Sequence, residues 1–190
     1  MLEHNFIKYD IIIIGAGPAG LFTGANIKNN SKTLILEKNN SAGKKLLMSG
    51  SGKCNITQSG DISEFFTHYG ENHRYLSPAL REFTNNDLVE YLNLRGLKTI
   101  TKKGKIFPAS ENAYDVLNLL LRECKLRNIT INYNVVIEKI TANETGFLIA
   151  TNDKIYQSDK LVITTGGKSY PSTGSTGDGY HFAKSLEHTI

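Results

Sequence analysis

Tyr9-Asp10-Ile11-Ile12-Ile13-Ile14-Gly15-Ala16-Gly17-Pro18-Ala19-Gly20 is the stretch that decides the fold. Its β-branched run predicts a strand over residues 9–14, and the glycines at 15, 17 and 20 then form a tight turn into a helix-compatible stretch reaching about Lys28. A second β-rich run, residues 33–36, ends in Glu37 and returns beside the first as the next parallel strand of a βαβ unit. The order strand, glycine turn, helix, strand, acid is that of a dinucleotide-binding unit.

Each residue of that order has a physical task. Gly15 permits the turn out of the strand, Gly17 lets backbone approach a pyrophosphate, and Gly20 allows the helix to pack closely on the strand. The helix that follows the turn offers unpaired N–H groups and about half a positive charge at its N-terminus. Glu37 lies 22 residues beyond Gly15, where its side chain can accept hydrogen bonds from both hydroxyls of an adenosine ribose and repel a 2′-phosphate. The competing reading is a glycine-rich turn in an unrelated α/β fold, with Glu37 a solvated strand end.

Outward from this unit, residues 39–60 read as a loop dense in Gly, Ser and Lys, too long for a simple connection. Helical periodicity follows over 86–94 and 112–126. Between them, 98–100 and 105–107 suggest a hairpin around Lys102-Lys103-Gly104, stopped by Pro108. Three β-rich runs, 130–133, 135–141 and 146–151, read as a meander; 161–164 reads as a last buried strand and 180–186 as a last helix. The expected architecture is a single α/β domain over 1–190, a Rossmann-like FAD/NAD(P)-binding βαβ sheet with a β-meander and a small helical and hairpin insertion at 60–110. No internal repeat is present.

Composition excludes several classes. The 190 residues carry 22 Lys+Arg against 18 Asp+Glu, with 39% hydrophobic and 21% charged residues, which is ordinary globular usage rather than that of a disordered or coiled-coil chain. The length excludes two large separately folded domains. Cys54 and Cys124 match no metal-ligand or disulfide spacing, so no metal is expected. The N-terminal residues 1–6 lack a basic leader region and the run 11–14 is too short to cross a bilayer, so the expected location is the cytoplasm, with no membrane partner. The N-x-S/T sequons beginning at Asn39, Asn55, Asn128 and Asn143 carry little weight without a secretion signal. The pI of about 8.9 would suit a nucleic-acid binder, but the basic residues are scattered, and no nucleic-acid partner is expected.

A phosphate loop of the ATPase type fails at two positions: Leu47 stands where a Gly is required and Cys54 where a hydroxyl residue is required. Ser49-Gly50-Ser51-Gly52-Lys53-Cys54-Asn55 remains a loop rich in exposed N–H groups with one cation, suited to a pyrophosphate or an electron-rich ring edge, or else simply a mobile surface loop. Thr164-Thr165-Gly166-Gly167 puts small residues at a strand's carboxyl end, where open α/β sheets place ligands, or else forms a plain strand-end turn.

Residues 10–20 with Glu37 resemble the FAD-binding start of the two-dinucleotide-binding-domain flavoproteins. More narrowly, Gly43-Lys44-Lys45-Leu46-Leu47-Met48-Ser49-Gly50-Ser51-Gly52-Lys53-Cys54-Asn55, Gly104-Lys105-Ile106-Phe107-Pro108, Thr165-Gly166-Gly167-Lys168-Ser169-Tyr170-Pro171 and Gly174-Ser175-Thr176-Gly177-Asp178-Gly179 resemble the bacterial BaiN-like or YhiN-like NAD(P)/FAD-dependent oxidoreductases. Lys44 and Lys53 stand where that family commonly has Arg, keeping the cation without the planar fork. The resemblance implies FAD as cofactor, NADH or NADPH as electron donor and a small-molecule substrate of unknown identity. It implies a cofactor wall built from Gly15, Ala16, Gly17, Pro18, Ala19, Gly20, Glu37, Lys38, Lys44, Lys45, Ser49, Gly50, Gly52, Lys53, Cys54, Asn55, Ile137 (through its backbone at the adenine edge), Thr165, Gly166 and Gly167.

Family members continue into a further domain and a C-terminal segment that covers the flavin. By that standard these residues read as an N-terminal portion, expected to retain FAD weakly or not at all and to lack turnover alone. The other readings are a non-catalytic nucleotide-binding fragment and a basic RNA- or partner-binding domain. No catalytic residue is assigned. Cys54 reads as a redox thiol or, with no second Cys nearby, as a small residue against the cofactor; Asp178 with His181 reads as a proton relay or, for Asp178, as a first-turn helix acid.

Overall fold

The computed structural model describes residues 7–28 and 30–190, so residues 1–6, read above for a leader, lie outside it. The elements in chain order begin with strand β1 (Ile7–Ile14), helix α1 (Pro18–Asn26), strand β2 (Thr33–Leu36), helix α2 (Lys44–Met48) and strand β3 (Thr57–Gln58). Helices α3 (Ile62–Phe66), α4 (His73–Glu82) and α5 (Asn85–Leu94) follow, then hairpin strands β4 (Thr99–Lys102) and β5 (Lys105–Pro108) and helix α6 (Ala113–Leu126). Strands β6 (Thr130–Asn132), β7 (Ile137–Asn143), β8 (Gly146–Thr151) and β9 (Ile155–Ile163) precede helix α7 (Asp178–Ser185). The chain divides into two compact units, residues 1–46 with 120–190, and residues 47–119.

In the first unit a six-stranded sheet has the order β6-β2-β1-β9-β8-β7. β1 pairs in parallel with β2, Ile12 opposite Leu34 and Ile14 opposite Leu36, as the βαβ reading requires. Strands buried on both faces read as continuous apolar runs. Alternate residues therefore serve two cores. Ile12, Ile14, Leu34 and Leu36 cluster with Val135, Ile140, Ile149 and Tyr156, while Ile35 meets α1 at Gly24, against which Cys124 of α6 also packs.

Two of the expected strands are placed differently. The run 130–133 does not belong to the meander: β6 lies parallel to β2, with Ile35 opposite Ile131, at the sheet's far edge. The expected last strand at 161–164 is the end of the nine-residue β9. β9 pairs in parallel with β1 and antiparallel with β8, so one strand joins the parallel half of the sheet to the meander.

The second unit carries a three-stranded sheet of order β3-β5-β4. The hairpin turn falls at Lys103 and Gly104, both at positive φ (48° and 75°), the signature of a tight two-residue turn. α5 begins in a capping box, where the Thr84 hydroxyl accepts from the Asp87 N–H and the Asp87 carboxylate accepts from the Thr84 N–H. Residues 39–60, expected as loop, contain α2, a 3₁₀ turn (Ser49–Gly52) and β3. The helices α3 and α4 had no counterpart in the sequence reading, and neither buries a residue.

Candidate functional site

β1, β2 and β9 end side by side, and the turns that leave them define a cleft of about 600 Å³ wholly within the first unit. Ile14, Leu36 and Ile163, the last residue of each strand, line its floor. The chain leaves β1 toward β2 on one side while β9 lies on the other, so the cleft sits where the strand order reverses.

The glycine turn is held by backbone constraint. Gly15 has φ of +103°, and a Cβ there would stand 2.6 Å from the Thr164 carbonyl oxygen. At Gly20 a Cβ would stand 1.9 Å from the Gly15 carbonyl oxygen, so only glycine lets α1 approach the strand end this closely. Thr164 ties β9 to the same turn: its N–H donates to Ile14 O at 2.8 Å, and its hydroxyl donates to Ile14 O and Gly15 O at 2.9 and 3.1 Å.

Glu37 is 7% exposed and lines the cleft. Its Oε2 accepts the Ala16 N–H at 2.7 Å, and its Oε1 accepts the Asn39 N–H at 2.8 Å and the Asn39 amide at 2.6 Å. The same turn is braced from the loop after β6, where Val135 N–H donates to Glu37 O and Asn134 N–H to Asn39 O. That brace places Val135, Val136 and Ile137 on the cleft wall.

The segment between β9 and α7 forms the other side, with Thr165, Gly166, Thr173, Gly174 and Ser175 lining the cleft. Two lysines fasten it. Lys38 Nζ donates to Thr176 Oγ1 and Asp178 Oδ2, both at 2.7 Å, and Lys45 Nζ donates to the Ser169 carbonyl at 2.8 Å. Partial burial opposes ionisation of Asp178, yet the bonds from Lys38 and Thr176 and the charges of Lys38 and His181 outweigh it, holding the carboxyl below the usual aspartate range. Lys44 donates to Asn39 Oδ1 at 3.1 Å. Lys44 and Lys45 thus bond neutral oxygens and leave their positive charge to the cleft.

Of the residues singled out in the sequence, Gly15, Gly17, Pro18, Ala19, Glu37, Lys38, Lys44, Lys45, Ile137, Thr165 and Gly166 line this one cleft. Ala16, Gly20 and Gly167 do not line it; Ala16 holds Glu37 and Gly20 admits the helix. Ser49, Gly50, Gly52, Lys53, Cys54 and Asn55 belong to the second unit. There Lys53 pairs with Glu111 at 3.0 Å, and burial pushes the Cys54 thiol up against a hydrogen bond from Ser49 that lowers it. Val135, Val136, Asp178, Phe182 and Ala183 line the cleft without having been singled out as cofactor contacts. Asp178 lay in a quoted motif, as did Gly43, Gly174, Ser175 and Gly179, which also line the cleft.

The cleft suits a nucleotide. A Cβ built on Gly17, the N-cap of α1, meets nothing within 4 Å, and the first turn of that helix carries no acidic residue. An anion there would meet open space and favourable helix partial charge. The volume is within the usual range of cofactor pockets, roughly 300–1,000 Å³.

Fold and cleft together define a Rossmann domain of the dinucleotide-binding type. The chain belongs to the family described as HI0933-like protein Rossmann domain, whose family model matches residues 9–190. It is 31% identical over 181 residues to the 3-dehydro-bile acid delta(4,6)-reductase of Clostridium scindens, and 32% identical over 179 residues to the ribosomal RNA dihydrouridine synthase of Escherichia coli. These alignments cover 94% and 93% of this chain and 44% of each relative, so the chain spans less than half the length of the relatives it matches. Among solved structures it is similar to the open conformation of a flavocytochrome c3 fumarate reductase, with a TM-score of 0.72 at 15% identity, covering 97% of this chain and 41% of that one; the likeness is one of fold. Among the described residues no helix is long and apolar enough to cross a membrane.

Proposed function

We propose that the cleft binds FAD through its adenosine diphosphate portion, and that the protein acts as a flavin-dependent oxidoreductase of the cytoplasm with NADH or NADPH as electron donor and a small-molecule substrate. The observation that carries this reading is the convergence, in one cleft at the carboxyl ends of three parallel strands, of the Gly15–Gly17 turn, the open N-terminus of α1 and the Glu37 carboxylate. In this reading Glu37 holds the ribose, the α1 N-terminus with Lys44 and Lys45 neutralises the pyrophosphate, and Val135 to Ile137 flank the adenine. A bound flavin supplies the electron transfer, and the protein's part is to orient it and exclude competing reactions. The relatives' names point to unlike substrates, a bile acid and a ribosomal RNA, and no residue of the cleft distinguishes them.

The test is to incubate the protein with excess FAD, desalt it and record its absorbance. The expected result for these residues alone is a melting temperature raised by FAD, with flavin bands near roughly 375 and 450 nm only weakly retained after desalting; full retention with bleaching by NADH or NADPH would show that they hold a complete site. Bound but unreducible flavin would leave a nucleotide-binding module without turnover. A colourless protein whose melting temperature FAD does not raise would sink the FAD assignment.

A further inference from the structure

Resting on that reading of the cleft, we infer that Asn39 is a positioning residue that fills one oxygen of Glu37, leaving the carboxylate a single open acceptor position and so a hold on one ribose hydroxyl rather than two. A carboxylate offers about four acceptor positions, two on each oxygen. Oε1 takes both the backbone N–H and the side-chain amide of Asn39, at 2.8 and 2.6 Å, and is full. Oε2 takes the Ala16 N–H at 2.7 Å and keeps one position. The sequence alone suggested a carboxylate free to take both hydroxyls.

Lys44 fixes which way the Asn39 amide faces. An ammonium can only donate, so the amide atom 3.1 Å from Lys44 Nζ is the oxygen, and the NH₂ must turn toward Glu37. The backbone at Gly174 packs over this amide, since a Cβ there would stand 2.6 Å from Asn39 Nδ2. Lys44 therefore donates to Asn39, and Asn39 and Ala16 each donate into the Glu37 carboxylate, one on each oxygen.

The experiment is calorimetric titration of the chain with ADP, 2′-deoxy-ADP and 3′-deoxy-ADP, in the wild type, Asn39→Ala and Asn39→Asp. Asn39→Asp is nearly isosteric and keeps a partner for Lys44, but its ionised side chain cannot donate to Glu37, so in both variants only the backbone N–H of residue 39 still occupies Oε1. In the wild type one deoxy analogue binds about tenfold weaker than ADP and the other within about twofold. In both variants that gap closes to about threefold or less, with melting curves confirming the fold. A gap that survives in either variant overturns the proposal, as does a wild type that loses equally, or nothing, with both analogues. A wild type that binds neither ADP nor FAD brings down the nucleotide reading itself, a result distinct from any of these.

Discussion

Ile12, Ile13 and Ile14 at the end of β1 are at most 3% exposed, whereas α4 in the second unit buries none of its ten residues and leaves Tyr75 70% exposed. The first unit is built around strands that are apolar on both faces; part of the second consists of short helices whose local bonds do more than their packing. Residues that position the cleft stand on the tightly constrained region. Sequence changes should accordingly be felt very unequally.

The sharpest way to strain this comparison is Gly20→Ala, whose Cβ would stand 1.9 Å from a backbone oxygen. It is expected to cost about 4 kcal/mol or more and to abolish nucleotide binding, as read by urea denaturation and titration. Next comes a matched pair. Ile149→Ala removes a wholly buried side chain of the first unit and should cost about 2–5 kcal/mol, while Leu76→Ala on α4, 42% exposed, should stay within about 0.5 kcal/mol. Equal losses in the two would break the comparison. Thr84→Ala removes the capping box of α5 and should cost about 1 kcal/mol, tested by the denaturation midpoint.

A smaller effect concerns Lys38 and Asp178. Because the folded state depresses the Asp178 carboxyl, the contribution of this contact is complete above the ordinary aspartate value, about 3.9, and is lost as pH falls through the lower folded value. Carboxyl-carbon NMR titration should place its midpoint below that of a model aspartate; an ordinary midpoint would argue against the tie. At the bottom of the scale, no alkylation is expected. Cys124 is 1% exposed with its thiol pushed up to about 11 by burial, and Cys54 is 4% exposed with its thiol also raised. Iodoacetamide at pH 8 should label both only after unfolding, as read by mass spectrometry.

What could be read from sequence was local. The β-branched run, the glycine spacing and Glu37 lie within one βαβ unit, and their order alone gave the strand pairing and the dinucleotide-type turn. Only the end of β9 is legible in the sequence, since Ser158-Asp159-Lys160 interrupts its apolar run. In the sheet Ser158 is wholly buried, paired with Tyr9 on one side and Phe147 on the other, so the strand runs on through it. β6 was misassigned because its partner β2 is distant in sequence and its short run carries no mark of parallel pairing. α3 and α4 are hidden for other reasons: five residues are too few to show a period, and Pro78 inside α4 reads as a helix stop although the segment is amphipathic. Asn39 stood in the expected loop, and its role depends on Lys44 and on Glu37 together. Val135, Val136 and Phe182 reach the cleft only through tertiary placement.

The pairing of β1 with β9 also sets a schedule for folding. Ile7 lies opposite Tyr156 and Ile14 opposite Ile163, partners about 150 residues apart. The second unit closes its contacts within a contiguous stretch, but β1 leaves the ribosome with one hydrogen-bonding edge open until β9 has been made. Closing so long a loop is entropically slow, and an open edge of four successive isoleucines invites pairing with other chains. Shielding Ile11 to Ile14 until residue 163 emerges would favour productive folding during synthesis, so a strand end that finishes buried is also one left open for nearly the whole of synthesis.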